Sequence, residues 1–365
     1  MSFLSTFLRD NAGDNVMPAA LIMICIHAGS VICGLFAGPI MAHFGSRRTF
    51  SIGLGGQAAY LWILALIPNP EAAFYFAILA GIFLAFHWTG LQSALIEVAP
   101  TESRGLASGI ASFVLVLSPG IAGLIMSLIA GDSGLSVFGP IAASLASLAF
   151  ILSLITSPST SPIGNKSQPG LSMVKNLVRR RGVYRMFIIR GVGAMSYAVF
   201  NLLAGPRLYD VGGGLEFVGL FLLGGSLAGG FAQVALGKLS DILGRSRLFG
   251  LVIALAAMSS AGFAFAEDIS YLLCFSSLHW FAQSAYQTLG VALGGDASDK
   301  HEIGTMNALL TVCYSIGLAS GALISGFLSG GAETVVLIVN ALLLLTTVKL
   351  GFSLHHIKPR TSTEI

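Results

Sequence analysis

Eleven apolar runs, each long enough to cross a bilayer, divide this chain almost end to end. They lie at about residues 17–42, 49–67, 72–96, 105–130, 134–156, 186–206, 215–237, 248–266, 269–295, 303–328 and 332–354. A hydrocarbon core about 30 Å thick takes about 20 residues of helix, because in lipid every backbone N–H and C=O must be bonded internally. Each run is therefore predicted to be a transmembrane helix, and the short connectors leave no room for a soluble domain. Composition agrees. Hydrophobic residues make up 55% of the 365 and charged ones 10%, against about 25% charged in an ordinary soluble domain. The 45 glycines suit helices that pack backbone to backbone. Cys25, Cys33, Cys274 and Cys313 fall inside apolar runs without metal-ligand spacing and read as small buried hydrophobes. Residues 1–16 carry Arg9, Asp10 and Asp14 and lack the apolar core of a cleavable signal peptide.

If successive connectors alternate sides, all of the 19 Lys and Arg except Arg9 and Arg207 fall on one face. The excess of cations marks the cytoplasmic side, which places the C-terminus there. The expected protein is multi-pass and sits in the cytoplasmic (inner) membrane. The one long connector, residues 157–185, opens with Ser and Pro and closes on the basic run Lys175 to Arg185, and reads as a flexible cytoplasmic linker. It divides an N-terminal bundle (1–156) from a C-terminal bundle (186–357), followed by a tail at 358–365.

The two bundles are copies. Gly38-Pro-Ile-Met-Ala-His-Phe-Gly45-Ser-Arg-Arg48 and Gly237-Lys-Leu-Ser-Asp-Ile-Leu-Gly244-Arg-Ser-Arg247 each join one span to the next, and their matching Gly and Arg residues are 199 positions apart. Parallel halves related by an axis along the membrane normal are one known transporter architecture. With the same offset, the counterpart of the span at 186–206 begins before Met1, leaving only Met1–Phe7 of it in this sequence. The expectation is that most of a first helix is missing, and that a complete chain holds twelve spans in two pseudo-symmetric six-helix bundles.

The loop from Gly237 through Asp241, Gly244 and Arg245 to Arg247 resembles the G-x-L-[AS]-D-x-x-G-R-[RK] loop of the major facilitator superfamily (MFS), which joins the second and third helices of each half. The resemblance covers the chain apart from the absent helix. It implies an all-α membrane fold, transport by alternating access, and a conformational-switch role for Gly38, Gly45, Arg48, Gly237, Asp241, Gly244, Arg245 and Arg247. In the family the Asp is thought to pair with a helix end or an Arg of the opposing bundle, a contact able to bias a two-state equilibrium. The first-half copy departs from the pattern, with Ala42 in place of the acid and Ser46 in place of an Arg. Ser118-Pro119-Gly120-Ile121-Ala122-Gly123 resembles, more weakly, part of a helix pattern of exporters in that superfamily. Pro119 is expected to kink the helix, with Gly120 and Gly123 admitting a neighbour.

In this superfamily the first and fourth helices of each half line the central pathway, and polar side chains within spans turn to the interior. That selects His87, Trp88 and Gln92 on one fourth helix, and His279, Gln283, Tyr286 and Gln287 on the other. Tyr197 and Asn201 come from the first helix of the second half, with Arg190 two turns nearer the cytoplasm. His27 reads as a packing residue. Intramembrane carboxylates are scarce, so proton coupling would fall to His87, His279 or the absent helix.

The expected function is secondary-active or facilitative transport of a small organic solute, with efflux favoured over import. The cavity reads as neutral, while Arg190 and Arg207 leave an anion open as substrate. The alternative is a non-transporting relative: a sensor, an assembly factor or a decayed carrier. No nucleophile motif, metal cluster or phosphate-binding loop suggests an enzyme. The expected partners are the solute and the lipid bilayer, without nucleic acid. The chain is expected to be a monomer with no cofactor, possible coupling being to a proton gradient.

Overall fold

The structure is a computed structural model that describes residues 16–66, 70–98, 104–133, 135–156, 171–180, 182–299, 302–328 and 332–356. Every apolar run of the sequence is a helix in it. In the first bundle these are α1 (Met17–Phe44), α2 (Ser46–Leu66), α3 (Pro70–Val98), α4 (Arg104–Ser133) and α5 (Leu135–Thr156). A short α6 (Leu171–Arg179) precedes the second bundle of α7 (Val183–Gly212), α8 (Leu215–Leu243), α9 (Arg245–Phe265), α10 (Ile269–Asp296), α11 (Ile303–Leu328) and α12 (Glu333–Phe352). Eight of them are long and apolar enough to cross a membrane, α4 and α5 hold shorter apolar stretches, and α10 carries the polar stripe. Large apolar side chains such as Ile155, Phe231, Met258 and Phe265 are exposed on the outside. That is the surface expected of helices solvated by acyl chains.

The duplication is visible in the backbone. Gly45 between α1 and α2 and Gly244 between α8 and α9 each turn the chain through one left-handed residue, at φ 82° and φ 90°. Their amides close on Met41 and Ser240, again 199 positions apart. A residue with a Cβ is strained at such φ, which is why the repeat keeps Gly there. Packing follows the same symmetry: α1–α3, α2–α3 and α2–α5 in the first bundle match α8–α10, α9–α10 and α9–α12 in the second.

Two seams join the bundles, α1 against α11 and α4 against α8. Both rely on small residues. A Cβ on Gly34 would stand 2.5 Å from Val312 Cγ2, and one on Gly109 would overlap the Gln233 carbonyl oxygen. Gly120 and Gly123 let α4 approach Ser226 and Leu222 of α8, so the residues expected at a kink pack at this seam. Pro119 lies inside α4.

The linker differs from the flexible reading where it is described. In α6 Leu177 is fully buried in the core of the second bundle. Just beyond, Arg180 makes a two-armed ion pair with Glu302 at 2.5 and 2.7 Å and donates to the Ala297 carbonyl at 3.1 Å. One apolar anchor and one bidentate pair are enough to dock it. Residues 157–170 lie outside the described residues, as do 1–15, where the expected remnant of a first helix falls.

Candidate functional site

A cavity of about 380 Å³ lies between the bundles, walled by α1, α3 and α4 of the first and α7, α8, α10 and α11 of the second. The repeat explains its shape. Met23/Leu222, Leu84/Gln283, Ala85/Ser284, Trp88/Gln287, Gln92/Val291, Ser112/Thr311, Leu115/Tyr314 and Val116/Ser315 all line it, each pair 199 positions apart. Equivalent helix faces of the two copies therefore meet across one space. The two walls differ in chemistry, since most second-bundle members of these pairs carry a hydroxyl or amide where the first-bundle member is apolar.

Of the residues expected in the cavity, Trp88, Gln92, Tyr197, Asn201, Gln283 and Gln287 line it. Gln287 donates to Tyr314 Oη at 2.6 Å and Gln283 to Ser196 Oγ at 3.4 Å, while Asn201 donates to the Tyr197 carbonyl at 2.9 Å. Gln92 Oε1, Gln283 Oε1 and Trp280 Nε1 are buried without a hydrogen-bond partner among the described residues. Buried polar atoms of this kind are costly unless a ligand or solvent completes them.

His87, His279 and Tyr286 are not in the cavity wall. His87 faces α2, with Nδ1 3.3 Å from Gln57 Oε1 and its ring edge-on to Phe50. His279 is fully buried inside the second bundle, stacked on Phe200 at 3.9 Å, with Nδ1 3.3 Å from Ser259 Oγ and the Ala256 carbonyl. Tyr286 donates to the Ile189 carbonyl at 2.6 Å and stacks on Phe249 at 5.1 Å. The reason is angular. At about 100° per residue, Trp280, Gln283, Ser284 and Gln287 cluster on one face of α10, whereas His279 and Tyr286 share a face about 100° away. The equivalence of His87 and Tyr286 holds, but as a packing contact: their partners Phe50 and Phe249 are also 199 apart.

His27, Gln233, Thr311 and Tyr314, which the sequence did not place there, also line the cavity, as does Arg190. His27, which from sequence reads as packing, faces this space. Arg190, which the sequence puts within the span and leaves open as an anion contact, lies inside α7 and is 4% exposed. Arg207, by contrast, donates to the Ala264 and Ala266 carbonyls at the end of α9, at 3.1 and 2.9 Å, and serves as a helix cap.

The switch loop closes a network within its own bundle. Asp241 accepts from Arg245 at 2.8 Å, and Arg245 also pairs with Asp296 and reaches the Ala292 carbonyl at 3.2 Å, at the end of α10. The expected partner in the opposing bundle is not the one Asp241 takes. Arg48 and Arg247 are exposed, Gly38 lies in the last turns of α1, and Gly237 is buried in α8.

Residues 1–205 and 186–364 match the sequence model of the Major Facilitator Superfamily. The probable plastidic glucose transporter 1 of Arabidopsis thaliana is 34% identical over 98 residues, 26% of this chain and 18% of that protein. An uncharacterized MFS-type transporter of Burkholderia mallei is 32% identical over 134 residues, 36% of this chain and 32% of that protein. The matched part is thus less than a third of the length of either relative. Among solved structures, the human organic anion transporter MFSD10 (TETRAN) superposes with a TM-score of 0.76 at 12% identity, over 91% of this chain and 83% of that one. The E. coli fucose:proton symporter FucP superposes at 0.70 with 15% identity, over 97% and 92%. At such identities the likeness is one of fold.

Proposed function

We propose that this chain, which belongs to the major facilitator superfamily, is a carrier that moves a small organic solute across a membrane by alternating access. The observation that carries the reading is the cavity itself: equivalent faces of two repeated bundles surround one space, largely apolar with polar groups set into it, along helices long and apolar enough to span a bilayer. The bundles touch along two glycine-bearing seams, and exchange between two discrete seam packings is a route to opening either end. The Arg245–Asp241–Asp296 network stiffens the loop end of the second bundle, which favours rigid-body rocking over local bending.

Efflux is the favoured direction, on the resemblance of Ser118–Gly123 to the exporter pattern. The side holding the Arg48 and Arg247 turns is read as cytoplasmic, from the excess of cations there. Counterflow in proteoliposomes of the purified chain, run with and without a pH gradient, tests the reading. Saturable exchange of a labelled solute against its unlabelled form supports it, and absence of exchange across a broad panel refutes it. A flux that responds to the gradient adds a proton to the cycle. His27 is then the first residue to replace, as the cavity-lining side chain of the type that titrates nearest neutrality.

A further inference from the structure

Arg190 stands apart from the other cations held within the second bundle. Arg180 has Glu302, Arg245 has Asp241 and Asp296, and Arg207 has two carbonyls. Arg190 is 4% exposed and lines the cavity, and its Nε and Nη1 have no hydrogen-bond partner among the described residues. No Asp or Glu is among the described residues that line the cavity. What holds the guanidinium is aromatic: it lies 4.5 Å over the Tyr314 ring and 5.9 Å from that of Tyr286. Such contacts orient a cation without neutralising it. A permanent charge within a membrane span is expensive and is normally paired.

The opposite side of the cavity has another character. Leu84, Ala85, Trp88, Leu115 and Val116 of the first bundle face Gln283, Ser284, Gln287, Tyr314 and Ser315 of the second as repeat partners. The cavity is therefore uneven, with a mainly apolar wall on the first bundle, where His27, Ser30, Gln92 and Ser112 are the polar members, and a more polar wall holding one unpaired cation on the second. Its volume lies near the lower end of the range for ligand pockets, about 300–1,000 Å³.

We propose that Arg190 is the anion-binding point of the cavity and that the transported solute is an amphipathic organic monoanion. Its carboxylate lies on Arg190, and its apolar body lies against the wall containing Trp88. This rests on the carrier reading and narrows it. A guanidinium fork matches a planar carboxylate in two parallel hydrogen bonds, which an amide of the same shape cannot reproduce. One cation with no second charge nearby selects a single negative charge over two.

The test measures binding to the purified full chain in lipid nanodiscs, using matched pairs: octanoate against octanamide, and 3-phenylpropionate against 3-phenylpropionamide. Glutarate serves as a dianion without an apolar body. At least one carboxylate is expected to bind at least about tenfold tighter than its amide and than glutarate. Arg190→Gln is expected to erase that preference, and Arg190→Lys to keep part of it. Equal binding of acid and amide by the unmodified chain overturns the proposal, as does a preference that survives in Arg190→Gln or the failure of every pair to bind. If Arg190→Gln does not fold, the wild-type preference and its reduced form in Arg190→Lys decide. Flux in proteoliposomes separates the two claims. Arg190-dependent binding without flux leaves the anion site standing and removes the carrier. Flux of a neutral solute that Arg190→Gln sustains does the reverse.

Discussion

Replacing Gly109 with Ala should wedge one end of the α4–α8 seam. An added Cβ there would overlap the Gln233 carbonyl oxygen and lie 3.0 Å from its carbonyl carbon and 3.2 Å from Val234 Cα. All three are backbone atoms, so no rotamer change relieves the crowding and the helices must part by roughly 1 Å to restore ordinary contact. Overpacking of this kind costs about 1–3 kcal/mol. That cost is paid only in the state where this end of the seam is closed. The ratio of closed to open at this end should then fall by about 5- to 150-fold, at about 1.4 kcal/mol per factor of ten. A cysteine placed at Ser112 in a background lacking Cys25, Cys33, Cys274 and Cys313 reports on it. Its labelling by a membrane-impermeant thiol reagent, added on the side of the Arg48 and Arg247 turns, should accelerate within that range. Gly123→Ala makes the contrast, because its nearest contact is Leu222 Cδ1, which a rotamer change can move, leaving only the 3.0 Å approach to Leu222 Cβ, so it should change the rate less. An unchanged rate in folded Gly109→Ala protein would mean that the seam does not separate as the cavity opens.

Arg245→Met should destabilise the chain by about 3 kcal/mol, because it removes an ion-pair partner of Asp296, whose side chain is 5% exposed. Adding Asp296→Leu should recover most of the loss, and thermal unfolding in detergent would show it. His279→Ala should lower stability by about 2–3 kcal/mol through a cavity beneath Phe200, with flux per folded molecule staying within about twofold. A larger loss of flux would return His279 to the transport pathway. Gln283→Leu should raise the KM for exchange about tenfold with little change in abundance, as one polar contact to a bound solute is worth about 1–1.5 kcal/mol. An unchanged KM would leave Gln283 as a packing residue.

The helices were legible because the bilayer allows almost no other backbone, and the repeat was legible because Gly45 and Gly244 must both turn at positive φ. The site was less so. The family resemblance pointed to α3 and α10 as cavity helices and the spacing of their polar residues agreed, but a polar stripe does not say which neighbour it meets. On α10, His279 and Gln283 are one turn apart, yet the first packs on Phe200 while the second lines the cavity. Deciding between them needed the positions of α7 and α9. Arg190 was legible as a cation within a span, but that it meets the cavity and not a carboxylate or a helix end needed the packing of α7. Asp241 likewise sits in the expected loop, but its partner Arg245 lies on the next turn of its own chain and needed no opposing bundle.

Alternating access of this kind requires the two bundles to move as bodies about the shared cavity. Spin labels at exposed, repeat-related positions test it directly: Phe44 with Leu243 at the end of the Gly45 and Gly244 turns, and Leu66 with Phe265 at the other end. Each pair should show two distances, with conditions that lengthen one pair shortening the other. A single distance at both ends, unchanged by any solute that binds, would contradict it.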